Sequence, residues 1–229
     1  MGRSGQHGGS SVGTITVPNA VITIDQLTGW LRRFHQQVIK NQAELTELDS
    51  AIGDADHGIN MARGMAAVID KLDGEQPARV NDLFKTAAMT LVMSVGGASG
   101  PLYGTFFLRF GGAVGSVTEL DTAALATGLH AGRAGIVERG KAELGDKTMI
   151  DALSPALDAM ETVIKNGGDL AAAVTAARDA AAAGRDATLP MVARKGRASY
   201  LGERSAGHMD PGAASMSLLF DALAAELAG

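Results

Sequence analysis

The chain has 229 residues, a formal net charge of −5 and no cysteine. That length is enough to bury one full core, and the acidic balance without any run of Lys or Arg excludes an electrostatic footprint for nucleic acid. Without thiols there are no disulfides, and a metal would have to be a hard cation held by oxygen or imidazole.

Aromatic residues make up 4% of the chain, strand signals are scarce, and Ala, Leu and Met fill the periodic stretches, so the expected fold is all-α. Residues 1–22 open with MGRSGQHGGSSVG, a Gly- and Ser-rich stretch with no apolar core, read as a flexible tail or remnant and not a signal peptide, with the cytoplasm as default location. The folded region is expected over residues 23–229. Its first helix starts near Thr23, with Gln26 placed for a capping box and Leu27, Trp30, Leu31, Phe34 and Val38 on one face. Seven more helices follow near residues 59–72, 81–95, 101–115, 121–139, 148–165, 169–183 and 211–227. Thr86 to Leu108 carries no charge and is long enough to span a bilayer, but Gly96, Gly97, Ser99, Gly100 and Pro101 interrupt it, which predicts two buried helices joined by a glycine turn. Between residues 184 and 210 lies one long basic connection, holding Arg185, Arg194, Lys195, Arg197, Arg204 and His208, and it reads as a lid or binding loop.

The segment LDSAIGDADHGINMAR, Leu48 to Arg63, carries the strongest chemical signal. Asp54 and Asp56, two residues apart, point the same way if the loop is extended. Asp49 at the end of the preceding helical pattern can reach inward as a third ligand. Gly53 and Gly58 would free the backbone at both ends of the turn, and a helix starting at Asn60 would offer amides to an anion. Carboxylates beside such amides suit magnesium and phosphate. The Asp-x-Asp-x-Gly pattern is not an EF-hand, because Ile59 stands at the turn glycine position and Met65 at that of the bidentate Glu.

Two further stretches add to this. In GGASGPLYG, Gly96 to Gly104, Pro101 suits a first helical turn and Ser99 can donate to an oxygen. In GHMDPGA, Asp210 is placed as an N-cap before Pro211, with His208 nearby and Arg197 able to neutralise phosphate charge. GIVERGKA, Gly135 to Ala142, has Walker A spacing, but Ala142 replaces the Ser or Thr and no strand precedes it. Ser99, His208 and Asp210 lack the context of a hydrolase triad.

Together IGDADHGINMARGM, GGASGPLYGTFF, GDKTMIDAL and ARKGRASYLGERSAGHMDPGAASM closely resemble the nucleotide-binding L subunit of dihydroxyacetone kinase, from about Ile24 to the end. The resemblance implies a single-domain up-and-down barrel of eight amphipathic helices with the nucleotide at one end. It implies two magnesium ions on Asp49, Asp54 and Asp56, bridging to the diphosphate of ADP or ATP. It also implies nucleotide contacts from His57, Gly58, Ile59, Asn60, Ala98 and Ser99, an adenine pocket at Gly140 and Met149, and closure by Arg197, Asp210, Pro211 and Gly212. The implied substrate, dihydroxyacetone, sits on a separate K subunit, so the chain is expected to be inactive alone, with an M subunit rephosphorylating bound ADP from phosphoenolpyruvate. A subunit of an ATP-dependent ketose kinase, acting on dihydroxyacetone or erythrulose, and a nucleotide-sensing regulatory module are the alternatives. Ala55 stands where the family has Gly, acceptable if the position needs no positive φ.

Overall fold

A computed structural model describes residues 20–229. The expected N-terminal tail lies outside these up to residue 19. Its last expected residue is structured: the two-residue strand β1 (Ile22–Thr23) pairs antiparallel with β2 (Glu119–Leu120), burying Ile22.

Nine α-helices follow among the described residues: α1 (Ile24–Lys40), α2 (Gln42–Ile52), α3 (His57–Gly74), α4 (Val80–Ser94), α5 (Ser99–Val114), α6 (Thr122–Gly140), α7 (Ile150–Lys165), α8 (Leu170–Ala187) and α9 (Pro211–Leu227). Eight of them close a ring in which α1 packs on α3, each helix from α3 to α8 packs on the next, and α9 returns to α1. This is the expected eight-helix barrel. The additional helix is α2, which the chain enters through a break at Asn41 and which packs outside the ring on α3 and α9. The stretch around Asn41 is polar and has no apolar rhythm to mark the break.

Local signals explain the helix ends. Thr23 Oγ1 accepts from the Gln26 amide at 3.3 Å while Gln26 Oε1 accepts from the Thr23 amide at 3.0 Å, the capping box read from sequence. Asp121, Asp169 and Asp210 cap α6, α8 and α9. The core is centred on α1, α4 and α5, where Trp30 meets Phe84, Phe107 and Phe110 with ring centroids about 6 Å apart and its indole N–H donates to the Leu219 carbonyl at 2.9 Å. The uncharged segment forms the end of α4 and most of α5, joined by a turn with Gly97 at φ 64°. No helix among the described residues is long and apolar enough to cross a membrane.

Because ring neighbours alternate in direction, the N-termini of α3, α5, α7 and α9 gather at one end with the C-termini of α2, α4 and α6. The candidate site lies there.

Candidate functional site

The three aspartates converge, by a different route from the one expected. One carboxylate oxygen from each of Asp49, Asp54 and Asp56 lies within 4.8 Å of the others. The loop between α2 and α3 is not extended: Ala55 has φ 61°, in the left-handed region. The residue between the two aspartates therefore turns the chain, and the condition under which alanine would be harmless there is not met. Ala55→Gly should raise stability by roughly 0.5–1 kcal/mol, the left-handed penalty of alanine less the added freedom of glycine when unfolded, read as a higher urea midpoint at unchanged slope.

Gly53 and Gly58 serve close approach and not backbone freedom. Gly53 sits at φ −140°, but a Cβ there would collide with the Asp49 carboxylate, and one at Gly58 would collide with the Gln42 carbonyl of α2. The helix also starts earlier than expected, at His57, which places Asn60 inside its first turn. Asp49, on α2 and only 7% exposed, accepts from the Asp56 amide at 2.8 Å and the His57 amide at 3.1 Å. Those two helix-start amides are thus taken by the chain's own carboxylate, which holds Asp49 rigidly with its second oxygen uncommitted to either amide.

A cleft of about 440 Å³ opens beside the aspartates. Asp49, Asp54, Asp56, His57, Asn60, Ala98, Ser99, Gly140, Met149, Arg197, Asp210, Pro211 and Gly212 all line it. Gly58 and Ile59 do not: Gly58 is packed against α2, and the Ile59 side chain is 48% exposed. His208 is exposed and also outside the lining. Leu102, Ile136 and Ile150 form an apolar wall with Met149, while Arg139, Lys195 and Arg197 supply positive charge. The Arg197 guanidinium lies 3.0 Å from Asp54 Oδ2, an exposed ion pair that is easily exchanged for another cation.

The long loop reaches the cleft through a short 3-10 helix, Arg197–Ser205. Ala193 and Ala198 of this loop pack with Ile52 of α2 in a small apolar cluster separate from the main core. Its base is tied by Lys147, which is 1% exposed and whose ammonium donates to the carbonyls of Met191 at 2.9 Å and Ser205 at 2.6 Å. Sequence reasoning missed this residue, and also missed the buried Tyr103 and Ser215 behind His57. Their partners are backbone or side-chain atoms far away in the chain, which leave no local pattern to read.

Asp210 caps α9 by accepting from the Ala213 amide at 2.7 Å, and its own amide donates to Thr188 Oγ1 at 3.0 Å. Burial pushes its carboxyl up to about 7, against the pull of the capping amide and of Lys147. A folded-state pKa above the unfolded one means that the native state holds the proton more tightly. The contribution is fully present below about pH 4 and is lost as pH rises toward 7, by at most about 1.4 kcal/mol per pH unit. Asp210→Asn, which keeps the cap, should therefore raise the melting temperature at pH 8, and the gain should vanish by pH 4.

The DAK2 domain family matches residues 51–225, more than half of the chain. The chain belongs to the DAK2 domain family. Among relatives of this DAK2 chain, a protein of Listeria innocua named PEP-dependent dihydroxyacetone kinase 1, ADP-binding subunit DhaL, is 47% identical over 194 residues, covering 85% of the chain and 92% of the relative. The Escherichia coli protein named PEP-dependent dihydroxyacetone kinase, ADP-binding subunit DhaL, is 43% identical over 199 residues, 87% of the chain and 95% of the relative. The solved dihydroxyacetone kinase of C. freundii in complex with AMP-PNP and Mg2+ superposes with a TM-score of 0.66 at 30% identity, covering 98% of the chain. The DAK2 chain spans 38% of that kinase's length.

Proposed function

We propose that this chain is the ADP-binding subunit of a phosphoenolpyruvate-dependent dihydroxyacetone kinase, a phosphotransferase that carries the nucleotide while another subunit presents the substrate. The observation that carries this reading is the convergence of Asp49, Asp54 and Asp56 at the mouth of a cleft large enough for a nucleotide, on a chain that spans over nine-tenths of relatives named as ADP-binding subunits. The runner-up, an ATP-dependent ketose kinase, has weaker support: a Pectobacterium atrosepticum protein named L-erythrulose kinase is 34% identical, and the chain covers 32% of it.

The donor set fits magnesium. Three carboxylates in a chain without a thiol suit a hard cation, and carboxylates held this close repel one another unless a cation sits among them. Asp49, Asp54 and Asp56 would hold two ions. Bound there, magnesium supplies charge neutralisation and in-line orientation of the phosphates. The chain's own residues do the rest. Asp49 is fixed by the two amides of the α3 start, so its geometry is set before any ligand arrives. Arg197 would leave Asp54 for the phosphates, adding positive charge as negative charge spreads during transfer. His57, Asn60, Ala98 and Ser99 would line the phosphate end. Gly140 and Met149, with Leu102 and Ile136 beside them, would hold the adenine in the apolar part of the cleft, and Asp210, Pro211 and Gly212 would close it.

The acceptor hydroxyl would come from dihydroxyacetone on a K subunit, and bound ADP would be recharged in place by an M subunit, all in the cytoplasm. Apolar side chains exposed within three residues of the cleft lining, Ile59, Met93 and Leu144, offer the K subunit a rim to cover. The test is to denature freshly purified protein and chromatograph the released nucleotide. Stoichiometric ADP supports the coenzyme role; an empty site that takes ATP weakly and reversibly favours the ATP-dependent kinase. Turnover of phosphoenolpyruvate to sugar phosphate on adding K and M subunits separates both from a sensor, which gives none.

A further inference from the structure

The loop between α6 and α7 is built against backbone preference. Lys141, Gly145 and Lys147 all have positive φ, at 50°, 90° and 62°. Two of the three are lysines, which rarely adopt that region, so contacts with the rest of the fold must hold them in it.

The main hold is one carboxylate. Asp151, in the first turn of α7 and 2% exposed, accepts from the Thr148 amide through Oδ2 at 2.8 Å and from the Gly145 amide through Oδ1 at 2.5 Å. The first bond is ordinary capping, since Thr148 Oγ1 in turn accepts from the Ile150 amide at 3.2 Å and the pair closes the start of α7. The second is not, because Gly145 lies outside the helix. Between the two amides stand Asp146 and Lys147, and both hold the long basic loop. Lys147 donates to the Met191 and Ser205 carbonyls, and the Asp146 carbonyl accepts from the Arg194 amide at 3.0 Å. Directly after them, Thr148 and Met149 line the cleft, whereas Asp151 does not. From behind, α8 fixes this turn of α7: a Cβ on Gly184 would fall 2.2 Å from the Asp151 carbonyl oxygen.

We infer that Asp151 is a positioning residue for the nucleotide: its two oxygens make residues 145–149 a single footing, on which both the wall for the base and the loop that carries Arg197 stand. What the cleft binds rests on the nucleotide reading above; the footing rests on the hydrogen bonds alone. A carboxylate can serve both amides and a carboxamide cannot. Asp151→Asn has the same shape, but its NH2 must face one of the two N–H groups, which is then left without an acceptor.

The test measures two ligands on the full chain, magnesium–ADP by calorimetry and magnesium–diphosphate by displacement of ADP. Diphosphate offers the metals and Arg197 their partners and leaves the base wall empty. Asp151→Asn should weaken ADP by about ten-fold and diphosphate by only about three-fold, so the preference for ADP shrinks. A residue that merely stabilised the fold would leave that preference as it is, and an unchanged preference in a folded Asp151→Asn overturns the inference. Amide exchange reads the footing without ligand. In Asp151→Asn it should accelerate in residues 141–149 and 189–207 together, and acceleration in only one of the two segments, or in neither, also overturns it. Should Asp151→Asn not fold, the unaltered chain decides: its Gly145, Thr148 and Arg194 amides should be protected to the same degree, and unequal protection of Gly145 and Arg194 overturns the shared footing. If the unaltered chain does not bind magnesium–ADP at all, the nucleotide reading fails while amide exchange still decides the footing.

Discussion

Asp54→Asn and Asp56→Asn should each purify as a folded helical protein with no bound ADP, and their affinity for magnesium–ADP should fall by a factor on the order of 100 or more. The two substitutions keep side-chain shape and remove one negative charge from a cluster whose oxygens lie within 4.8 Å of one another. What the fold uses at these positions survives. Asp56 joins the structure through its backbone, donating to Asp49 and accepting from the Asn60 amide, and Asp54 contributes only the exposed pair with Arg197, worth about 0–1 kcal/mol. Ligand-free variants should therefore melt at or slightly above the unaltered protein, because mutual repulsion of the carboxylates is relieved. The difference appears on adding magnesium–ADP. At a hundred-fold excess over its dissociation constant the ligand stabilises the unaltered protein by about 2.7 kcal/mol, and at the same concentration that shift should fall to about 0.4 kcal/mol or less in both variants. Either variant holding stoichiometric ADP would sink the ligand assignment. Asp49→Ala makes the contrast, since it removes the acceptor for two helix-start amides and should lower the ligand-free stability by about 1–2 kcal/mol as well.

The difference between these aspartates shows what could be read from the chain. Periodicity and caps are local properties, so the stripe of α1, its capping box and the glycine turn before α5 were legible in order along the sequence. So was the gathering of Asp49, Asp54 and Asp56 with the loop residue Arg197, although the residues themselves suggested an extended loop where Ala55 makes a left-handed turn. The conformation of one alanine depends on the helices it joins, and composition does not encode it. The helix break at Asn41 escaped for a related reason, since no proline or glycine marks it and the polar residues around it suit a helix as well as a bend. Least legible were groups that act across the ring. Lys147 meets oxygens 44 and 58 residues away, and Ser215 meets His57 from 158 residues away. Nothing in the neighbouring sequence distinguishes such a lysine from one on a solvated surface.

Lys147 carries the other large expected effect. Lys147→Met should destabilise the protein by roughly 2–5 kcal/mol, with hydrogen exchange accelerating in residues 189–207 before any other segment. The side chain is 1% exposed, and its ammonium donates to Met191, ahead of the 3-10 helix bearing Arg197, and to Ser205, the last residue of that helix. Burial pulls the ammonium below its usual range and Asp210 opposes the pull, so the group is held by its two carbonyls and one nearby carboxyl, not by solvent. Methionine fills similar volume but leaves both carbonyls without this donor, at a cost of about 1–3 kcal/mol each. The barrel itself does not depend on this contact, since the loop adds only its own small cluster of Ile52, Ala193 and Ala198. Weaker ties remain at the loop base, where the Arg194 amide donates to the Asp146 carbonyl at 3.0 Å and the Ala193 amide to Ser205 Oγ at 2.8 Å. They would hold the loop near the cleft without fixing Arg197 over it, so ADP should dissociate faster from Lys147→Met while the metal ligands stay intact. Arg197→Ala separates the two causes: it should also speed dissociation, yet leave exchange in 189–207 unchanged. If Lys147→Met exchanged in that segment at the rate of the unaltered protein, the loop would be held by its amides and by the Ile52 contact, and the lysine would be an internal charge without a part in placing Arg197.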